Sequence, residues 1–420
     1  MPDSTAPADA VPATNLPATR HEAWATRAWL VLLLVLGACG GGGGGGGGGA
    51  TDTGTSGTLA AVGAAVTPPP TTTVADSGGT STGSGSTASP SGGSPLGANE
   101  LAVLIAEGDA TSEAIGRAYQ RARGIPEANM IRVPVATGSD AISAADFATL
   151  KARIDGLLPA GVQASAVTWT APSRVQGSSC TMSLTSALAF GWDARYCGSC
   201  NRTLASPYYN SGSSRPWSDL RIRPAMMLGA ATLADAQALI ARGLAADGRM
   251  AAGASASGWL LRTSDAARSV RYPDFQSLAA TPVTGIRWTY VDNASGAGSN
   301  VVSGQGDVMF YFTGLSRVPQ LTANLYAPGA VADHLTSFAG LLPGANGQMP
   351  ATDWLAAGLT GSFGTVEEPC NYTEKFPKAS VLVDRYQRGE TLIEAYWKSV
   401  QWPGQGLFVG EPLARPWARL

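Results

Sequence analysis

Histidine is nearly absent from this chain. Only His21 and His334 occur among its 420 residues, and His21 lies in an amino-terminal segment that we predict to be removed. Zinc sites built on two or three histidine ligands are therefore excluded for the mature protein, as are H-E-x-x-H metallopeptidases. Any Ser-His or Cys-His chemistry has to use His334, and we predict no metal and no cofactor.

Charged side chains are also sparse. The chain has 28 Lys and Arg against 30 Asp and Glu, so its formal net charge is −2, and 14% of its residues are charged against 44% that are hydrophobic. This composition is typical of a globular protein with little surface charge. It indicates neither a basic patch nor an acidic tail, so we expect no nucleic-acid partner.

The apolar run at residues 28–36 is too short to cross a membrane, since a span needs roughly 20 apolar residues. Arg27 precedes the run and small residues lead from it to Cys39, which is the order of a secretory signal. The segment "LGAC" at residues 36–39 resembles a bacterial lipobox. This resemblance implies that residues 1–38 are a lipoprotein signal peptide and that Cys39 carries the lipid. A signal peptide with an incidental cysteine is the alternative.

The residue after Cys39 bears on location. Gly40 differs from the aspartate that resembles an inner-membrane retention signal, so the resemblance implies an exported protein anchored in the outer membrane, on its periplasmic or surface face. Residues 39–98 are rich in Gly, Ser, Thr and Pro, and ten consecutive glycines fill positions 40–49. Such a segment cannot bury enough apolar surface to offset its conformational entropy. We predict a disordered tether.

Strand-like and helix-like patterns alternate from residue 99 to 420. "ELAVLIAEG" at residues 100–108 is a short apolar run typical of a buried strand. The helical pattern that follows has an Asp/Thr/Ser start at residues 109–112 and ends at Gly124 and Pro126. The next helix is expected to start at Ser143, which has Asp146 in capping-box spacing. This alternation predicts one α/β domain with a mostly parallel sheet and helices on both faces. The sequence shows no repeat of fixed period.

Residues 171–225 interrupt the alternation. This stretch contains Cys180, Cys197 and Cys200 together with turn-forming residues, and we predict a disulfide-stapled loop insertion over the carboxyl ends of the strands. Its aromatic side chains either line a site or form a small local core. These aromatic residues are Trp192, Tyr196, Tyr208, Tyr209 and Trp217.

Four cysteines remain after Cys39, an even number in an exported chain, so two disulfides are expected. Cys180 is separated from Cys197 or Cys200 by a length at which a disulfide contributes roughly 3 kcal/mol, so we expect it to pair with one of them. Cys370 is either the partner of the remaining cysteine or a free thiol. A Cys197–Cys200 redox pair and a four-thiolate zinc site are lesser alternatives.

Two late segments carry the densest chemistry. "PGAVADHLTSFAG" contains His334, and "GSFGTVEEPCNY" contains Cys370; each adjoins a predicted strand. Neighbouring parallel strands bring such ends together, so we expect one shared site. A hydrolase would use His334 to activate the Cys370 thiol, with a glutamate orienting the ring and amides of a glycine turn stabilising the oxyanion. The predicted catalytic residues are His334, Cys370, Glu367 and Glu368, and the predicted site-lining residues are Asp333, Ser337, Gly361, Ser362 and Gly364.

At these segments the sequence resembles a family of uncharacterised exported bacterial proteins. The likeness runs from about residue 100 to 417 and rests on blocks such as "FYFTG", "GAVADHLTSFAG" and "GSFGTVEEPCNYTEKFP". More distantly, "MFYFTG", "GLTGSFG" and the ending "GEP" are similar to gingipain-type cysteine peptidases, which implies a caspase-like fold. Gingipain-like enzymes have His-Gly after the matching strand, but Gly314 is followed by Leu315, and "LTSFAG" has no cysteine where theirs would fall.

Two classes of function follow. The first is a non-catalytic lipoprotein that keeps a peptidase-like fold and binds an envelope polymer or a protein partner. The second is a cysteine hydrolase that uses a relocated His334–Cys370 pair. The missing gingipain residues favour the first class, because fold similarity alone does not carry an activity. The oxidation state of Cys370 separates the two.

Overall fold

The structure, a computed structural model, describes residues 93–419. The predicted signal peptide, the lipidation site Cys39 and nearly all of the predicted tether lie outside the described residues. The strands are β1 (Leu101–Ala106), β2 (Met130–Val133), β3 (Ala141–Ser143), β4 (Ala164–Val167), β5 (Arg174–Gln176), β6 (Thr181–Ser183), β7 (Ala225–Met227), β8 (Ala256–Arg262), β9 (Ile286–Asp292), β10 (Val308–Gly314), β11 (Tyr326–Leu335), β12 (Gly361–Thr365) and β13 (Gly406–Gly410). The α-helices are α1 (Ala110–Arg123), α2 (Ala144–Leu157), α3 (Leu184–Phe190), α4 (Pro216–Leu220), α5 (Leu233–Ala246), α6 (Tyr272–Ala279), α7 (Thr352–Ala356), α8 (Ala379–Gln387) and α9 (Leu392–Ser399).

Ten of these strands form one mostly parallel sheet in the order β2-β1-β4-β7-β13-β12-β11-β10-β8-β9. In this spatial order the first five strands, β2-β1-β4-β7-β13, are parallel to one another, and so are the last five, β12-β11-β10-β8-β9. The two halves meet at the antiparallel pair of β12 and β13. The α/β class with a mostly parallel sheet is confirmed. Because the halves run in opposite directions, their carboxyl ends lie at opposite edges of the sheet.

The two halves share one strand order. In the first half the spatial order from the outer edge is β2-β1-β4-β7-β13. The first strand along the chain, β1, therefore lies second in the sheet, the next strand, β2, lies at the edge, and the other three follow in chain order. The second half, made of β8, β9, β10, β11 and β12, has the same arrangement. This is the doubly wound order in which the chain leaves the first strand towards one side and then returns to the other. The repeated topology has no counterpart in a repeated sequence.

Strand β1 illustrates why the apolar runs become central strands. All six of its residues are buried, because a parallel sheet that is covered on both faces excludes water from both sides of each strand. Adjacent residues of β10 show the two covering layers, since successive side chains point to opposite faces. The ring of Tyr311 packs edge-on against Trp354 of α7 with centroids 5.1 Å apart, whereas Phe312 stacks with Phe275 of α6 at 6.4 Å.

Local signals place the helix ends. The carboxylate of Asp109 accepts a hydrogen bond from the amide of Ser112 at 2.9 Å and caps the start of α1, and Gly124 ends this helix with φ 67°. The amide of Asp146 donates to the hydroxyl of Ser143 at 3.1 Å at the start of α2. Both predicted starts and the predicted end at Gly124 are confirmed.

The stretch from residue 171 to 225 is the crossover between β4 and β7 and not a plain loop insertion. It contains β5 and β6, which pair with β3 in a second, three-stranded sheet, and α3, which packs against β7 and β13. Its strands have three residues each, which is too short to show a periodic pattern in the sequence. The Cys180–Cys197 disulfide closes part of this crossover, as predicted.

Within residues 93–419 no helix is both long and apolar enough to cross a membrane.

Candidate functional site

The two predicted site segments meet at the carboxyl ends of β11 and β12, which are parallel neighbours. The hydroxyl of Thr365 donates a hydrogen bond to the carbonyl oxygen of Ser337 at 2.8 Å. A Cβ atom added at Gly364 would lie 2.4 Å from the carbonyl carbon of Ala339, so glycine allows the two segments this close approach. The two segments therefore adjoin, although residues 328–335 of the first belong to β11 itself and not to a loop at a strand end.

The predicted oxyanion turn, however, is part of β12 itself. Gly361, Ser362 and Gly364 are buried strand residues that pair with β13 on one side, while β11 lies on the other. Their backbone amides face neighbouring strands and not a substrate. The hydroxyl of Ser362 is buried and has no hydrogen-bond partner among the described residues.

His334 is a structural residue and not the predicted base. Its Nδ1 accepts a hydrogen bond from the indole N–H of Trp354 at 3.0 Å, which leaves Nε2 protonated to donate to the carbonyl oxygen of Met349 at 3.1 Å. Burial of the ring lowers the pKa of His334 to about 3, so the imidazole is neutral at ordinary pH. Because both ring nitrogens are occupied by protein groups, neither can take a proton from a thiol.

Cys370 is not a free thiol. It forms a disulfide with Cys200, and Cys180 forms one with Cys197. The prediction that Cys180 pairs with Cys197 or Cys200 is confirmed. The predicted His334–Cys370 dyad is wrong for this structure, because its nucleophile is oxidised and its base is fully hydrogen-bonded.

Glu367 and Glu368 shape the backbone and do not orient His334. The carboxylate of Glu367 accepts hydrogen bonds from the amides of Gly198 at 3.1 Å and Ser199 at 3.0 Å, and from a third amide in β6. That of Glu368 accepts one from the amide of Cys370 at 2.9 Å. Glu367 thus holds the crossover against the loop after β12, beside the disulfides.

Lys375 completes this cluster. Its side chain is buried, and its ammonium group donates a hydrogen bond to the carbonyl oxygen of Ser199. Burial lowers the pKa of Lys375 to about 8, while the nearby charges of Glu367 and Glu368 oppose the shift. No pattern in the sequence marked this lysine, because its hydrogen-bond partner Ser199 lies 176 residues away along the chain.

Asp333, the neighbour of His334, lies on the opposite face of the sheet and forms a buried ion pair with Arg271. The guanidinium Nη2 of Arg271 is 2.6 Å from a carboxylate oxygen of Asp333, and it also donates to the carbonyl oxygen of Thr313 at 2.8 Å. Burial raises the pKa of Asp333, and the charge of Arg271 opposes that rise. Asp333 is among the predicted site residues and Arg271 is not, because the only signal at Arg271 is its place before the Pro-containing start of α6.

Arg271 also lines a surface pocket of about 290 Å³, which we call the Arg271 pocket. It lies between the start of α6, the segment before α8 and the crossover. Tyr209 is the one predicted aromatic of the crossover that lines it, and Asp274 and Lys378 add opposite charges to its wall. The pocket can accept a ligand that carries both hydrogen-bonding and charged groups. It is the candidate functional site on this face of the sheet.

Among residues 93–419, no group of three or more His, Cys, Asp or Glu side chains is placed to hold a metal ion. Comparisons of the chain with protein-family models, curated proteins and solved structures gave no match. The similarity to gingipain-type peptidases therefore stays a prediction from the quoted segments.

Proposed function

We propose that this chain is an exported, lipid-anchored protein whose folded domain binds an envelope polymer or a protein partner without cleaving it. The observation that carries the proposal is the Cys200–Cys370 disulfide, which occupies the sulfur that a hydrolase would need. Disulfides also form in oxidising compartments, which supports export. The hydrolase alternative would require both reduction of this bond and release of His334 from its two hydrogen bonds.

The lipobox-like segment supports the anchor, and the Arg271 pocket supports the binding role. Under this proposal Cys39 tethers the domain to the outer membrane, and the glycine-rich segment lets it reach its partner from there. The mostly parallel sheet supports an α/β fold. That this fold is of the caspase-like type is part of the proposal and rests on the resemblance to gingipain-type peptidases. A binding protein on such a fold needs no dyad.

The anchor is tested with the full-length chain in its cell. We expect Cys39→Ser to move the protein from the membrane fraction to the soluble fraction, or to leave it as an unprocessed precursor, because serine offers no thiol for the lipid. The matched control is Gly45→Ser, which changes the glycine tract but keeps the cysteine. Mass spectrometry of the native protein that finds residue 1 intact, or Cys39 unmodified, would contradict the anchor.

The binding role is tested at Lys378, an exposed residue in the wall of the Arg271 pocket. Reversal of its charge in Lys378→Glu should weaken co-sedimentation with isolated cell-envelope material by roughly fivefold at low salt, the effect of about 1 kcal/mol from one surface charge. Arg121→Glu makes the same charge change at an exposed position of α1 and should leave co-sedimentation unchanged. If the wild type does not bind envelope material or a protein from it, the proposed function fails.

A further inference from the structure

The first half of the sheet has a crevice at the carboxyl ends of β1 and β4. The chain leaves β1 towards β2 on one side and later returns to β4 on the other, so the connections diverge between these two strands. Ligands of open α/β sheets bind outside the carboxyl ends of the strands at such a switch point. A cavity of about 180 Å³ occupies this position, bounded by the start of α1 and by residues that follow β4 and β7.

The second half of the sheet has the equivalent crevice between β8 and β10, but backbone fills it. A Cβ atom at Gly314, the last residue of β10, would lie only 1.9 Å from the carbonyl oxygen of Arg268. The hydroxyl of Thr263, just after β8, donates to the carbonyl oxygen of Gly314 at 2.7 Å. Two halves with one strand order thus differ at the place where doubly wound sheets bind ligands, and the first half keeps the space.

A carboxylate lines the open crevice. One oxygen of Asp109 accepts a hydrogen bond from the amide of Ser112 at 2.9 Å, and the other accepts one from the hydroxyl of Thr137 at 2.8 Å. The amide hydrogen bond from Ser112 holds the pKa of Asp109 below its usual value, so this group is ionised at neutral pH. A carboxylate offers about four acceptor sites, so about two remain for a ligand.

Hydroxyl groups line the rest of the polar wall. The hydroxyls of Ser112 and Thr168 are 2.6 Å apart, and Thr168 also donates to the carbonyl oxygen of Leu104 at 3.0 Å. Ser112 is fixed in turn by the amide of Ala106, which donates to its oxygen at 2.9 Å. Both side chains are therefore pre-organised. Further hydroxyls come from Thr170 and from Thr111 in the first turn of α1.

The indole of Trp169 forms part of the same wall and is 3% exposed. Its Nε1–H has no hydrogen-bond partner among the described residues. An unpaired buried donor is unfavourable and points to a partner that the protein itself does not supply. An acceptor oxygen of a ligand in the crevice would satisfy it, and the ring adds an apolar surface beside the hydroxyls.

We infer that this crevice binds a single neutral sugar residue, either free or at the end of a glycan. The inference goes beyond the proposed function, because it adds a second binding site, separate from the Arg271 pocket, and gives that site a ligand class. None of the described lining residues is Lys, Arg or His, and Asp109 disfavours an anion. A sugar ring presents several hydroxyls that can donate to a carboxylate, and these hydroxyls can also donate to or accept from threonine hydroxyls such as those of Thr111 and Thr170. Its carbon face suits an indole wall, and one ring suits a cavity of this size.

The test uses the full-length chain in detergent and a panel of glucose, galactose, N-acetylglucosamine and the N-acetylglucosamine trimer, measured by calorimetry and ligand-observed NMR. At least one sugar should bind saturably to the wild type. Ala231→Trp places a large ring in the crevice from an exposed position and should abolish binding, whereas Ala252→Trp, at an exposed position outside the crevice lining, should not. The monosaccharides and the trimer distinguish a free sugar from the end of a glycan.

Asp109→Asn is the finer variant. Asparagine caps a helix as well as aspartate does, so α1 should keep its start, but the charge-assisted hydrogen bonds are lost and affinity should fall about tenfold. The site is overturned if Ala231→Trp binds sugar as well as the wild type does, or if the wild type binds no sugar of the panel. Neither result contradicts the proposed function, which is tested separately by co-sedimentation with envelope material. Saturable binding of MgCl₂ or CaCl₂ that Asp109→Asn removes, without sugar binding, makes the crevice a cation site and also overturns the inference.

Discussion

Replacement of Asp333 by alanine should lower the free energy of unfolding by about 3–5 kcal/mol, the cost of breaking a buried ion pair by removing one partner. Asp333 and Arg271 are both nearly inaccessible to water and lie 2.6 Å apart. Without the carboxylate, the guanidinium stays buried with its charge uncompensated. Urea unfolding of the wild type and the variant at pH 7 measures the loss.

Two variants show that this loss comes from the buried charge. Asp384→Ala removes a carboxylate of α8 that forms a solvent-accessible pair with Arg388, the residue after the helix, and it should cost less than about 1 kcal/mol. The double variant Asp333→Leu with Arg271→Met removes both buried charges and should recover most of the stability lost in Asp333→Ala, since apolar side chains often replace a buried ion pair without loss. Asp333→Ala with near wild-type stability would show that the pair is not formed.

Loss of the Cys200–Cys370 disulfide should be the other large effect. The bond closes a segment of 170 residues, and the chain-entropy model gives about 5 kcal/mol for a loop of that order. The double variant Cys200→Ser with Cys370→Ser should therefore lower the free energy of unfolding by up to this amount. It should also loosen the contact of the crossover with Lys375. Cys180→Ser with Cys197→Ser opens a separation of only 17 residues and should cost about 3 kcal/mol.

The same cysteines decide between a binding protein and a hydrolase. Thiol titration of the denatured, unreduced protein should find none of Cys180, Cys197, Cys200 and Cys370 free, and peptide mapping should recover the two cross-linked pairs. A free Cys370 that reacts rapidly at neutral pH would contradict the disulfide and restore the cysteine-hydrolase hypothesis. The two serine double variants are measured in the same unfolding assay as the wild type, so that the thiol content and the free energy of unfolding are known for the same proteins.

Much of the architecture could be predicted because it depends on local patterns. The run that became β1 is apolar throughout, which is typical of a strand buried on both faces. Asp109, Ser143 and Gly124 marked helix ends through hydrogen bonds and backbone angles that act within a few residues. The adjacency of the segments that contain His334 and Cys370 was predicted from the rule that neighbouring parallel strands end at the same edge of a sheet, but β11 itself was not predicted as a strand.

The predicted site failed for a different reason. His334 and Cys370 were paired on chemical grounds, but the contacts that decide their chemistry come from Trp354, Met349 and Cys200. Periodicity in the sequence does not predict which side chains from distant parts of the chain will contact each other in the folded interior. The predicted glycine turn likewise became β12, because only the finished sheet placed β13 on its other side.

The sequence by itself determined that the domain is α/β, through its alternating apolar patterns, and it supplied an even set of cysteines suited to disulfides. Export stays a prediction from the signal-like segment. Tertiary structure alone decided the reversal of direction at β12 and β13, the repeated strand order of the two halves, and the pairing of Arg271 with Asp333 and of Cys200 with Cys370. The physical reason is range. Apolar periodicity and capping act over a few residues, whereas ion pairs, disulfides and pockets join residues that are distant in the chain, and these form only where burial of the whole core brings them together.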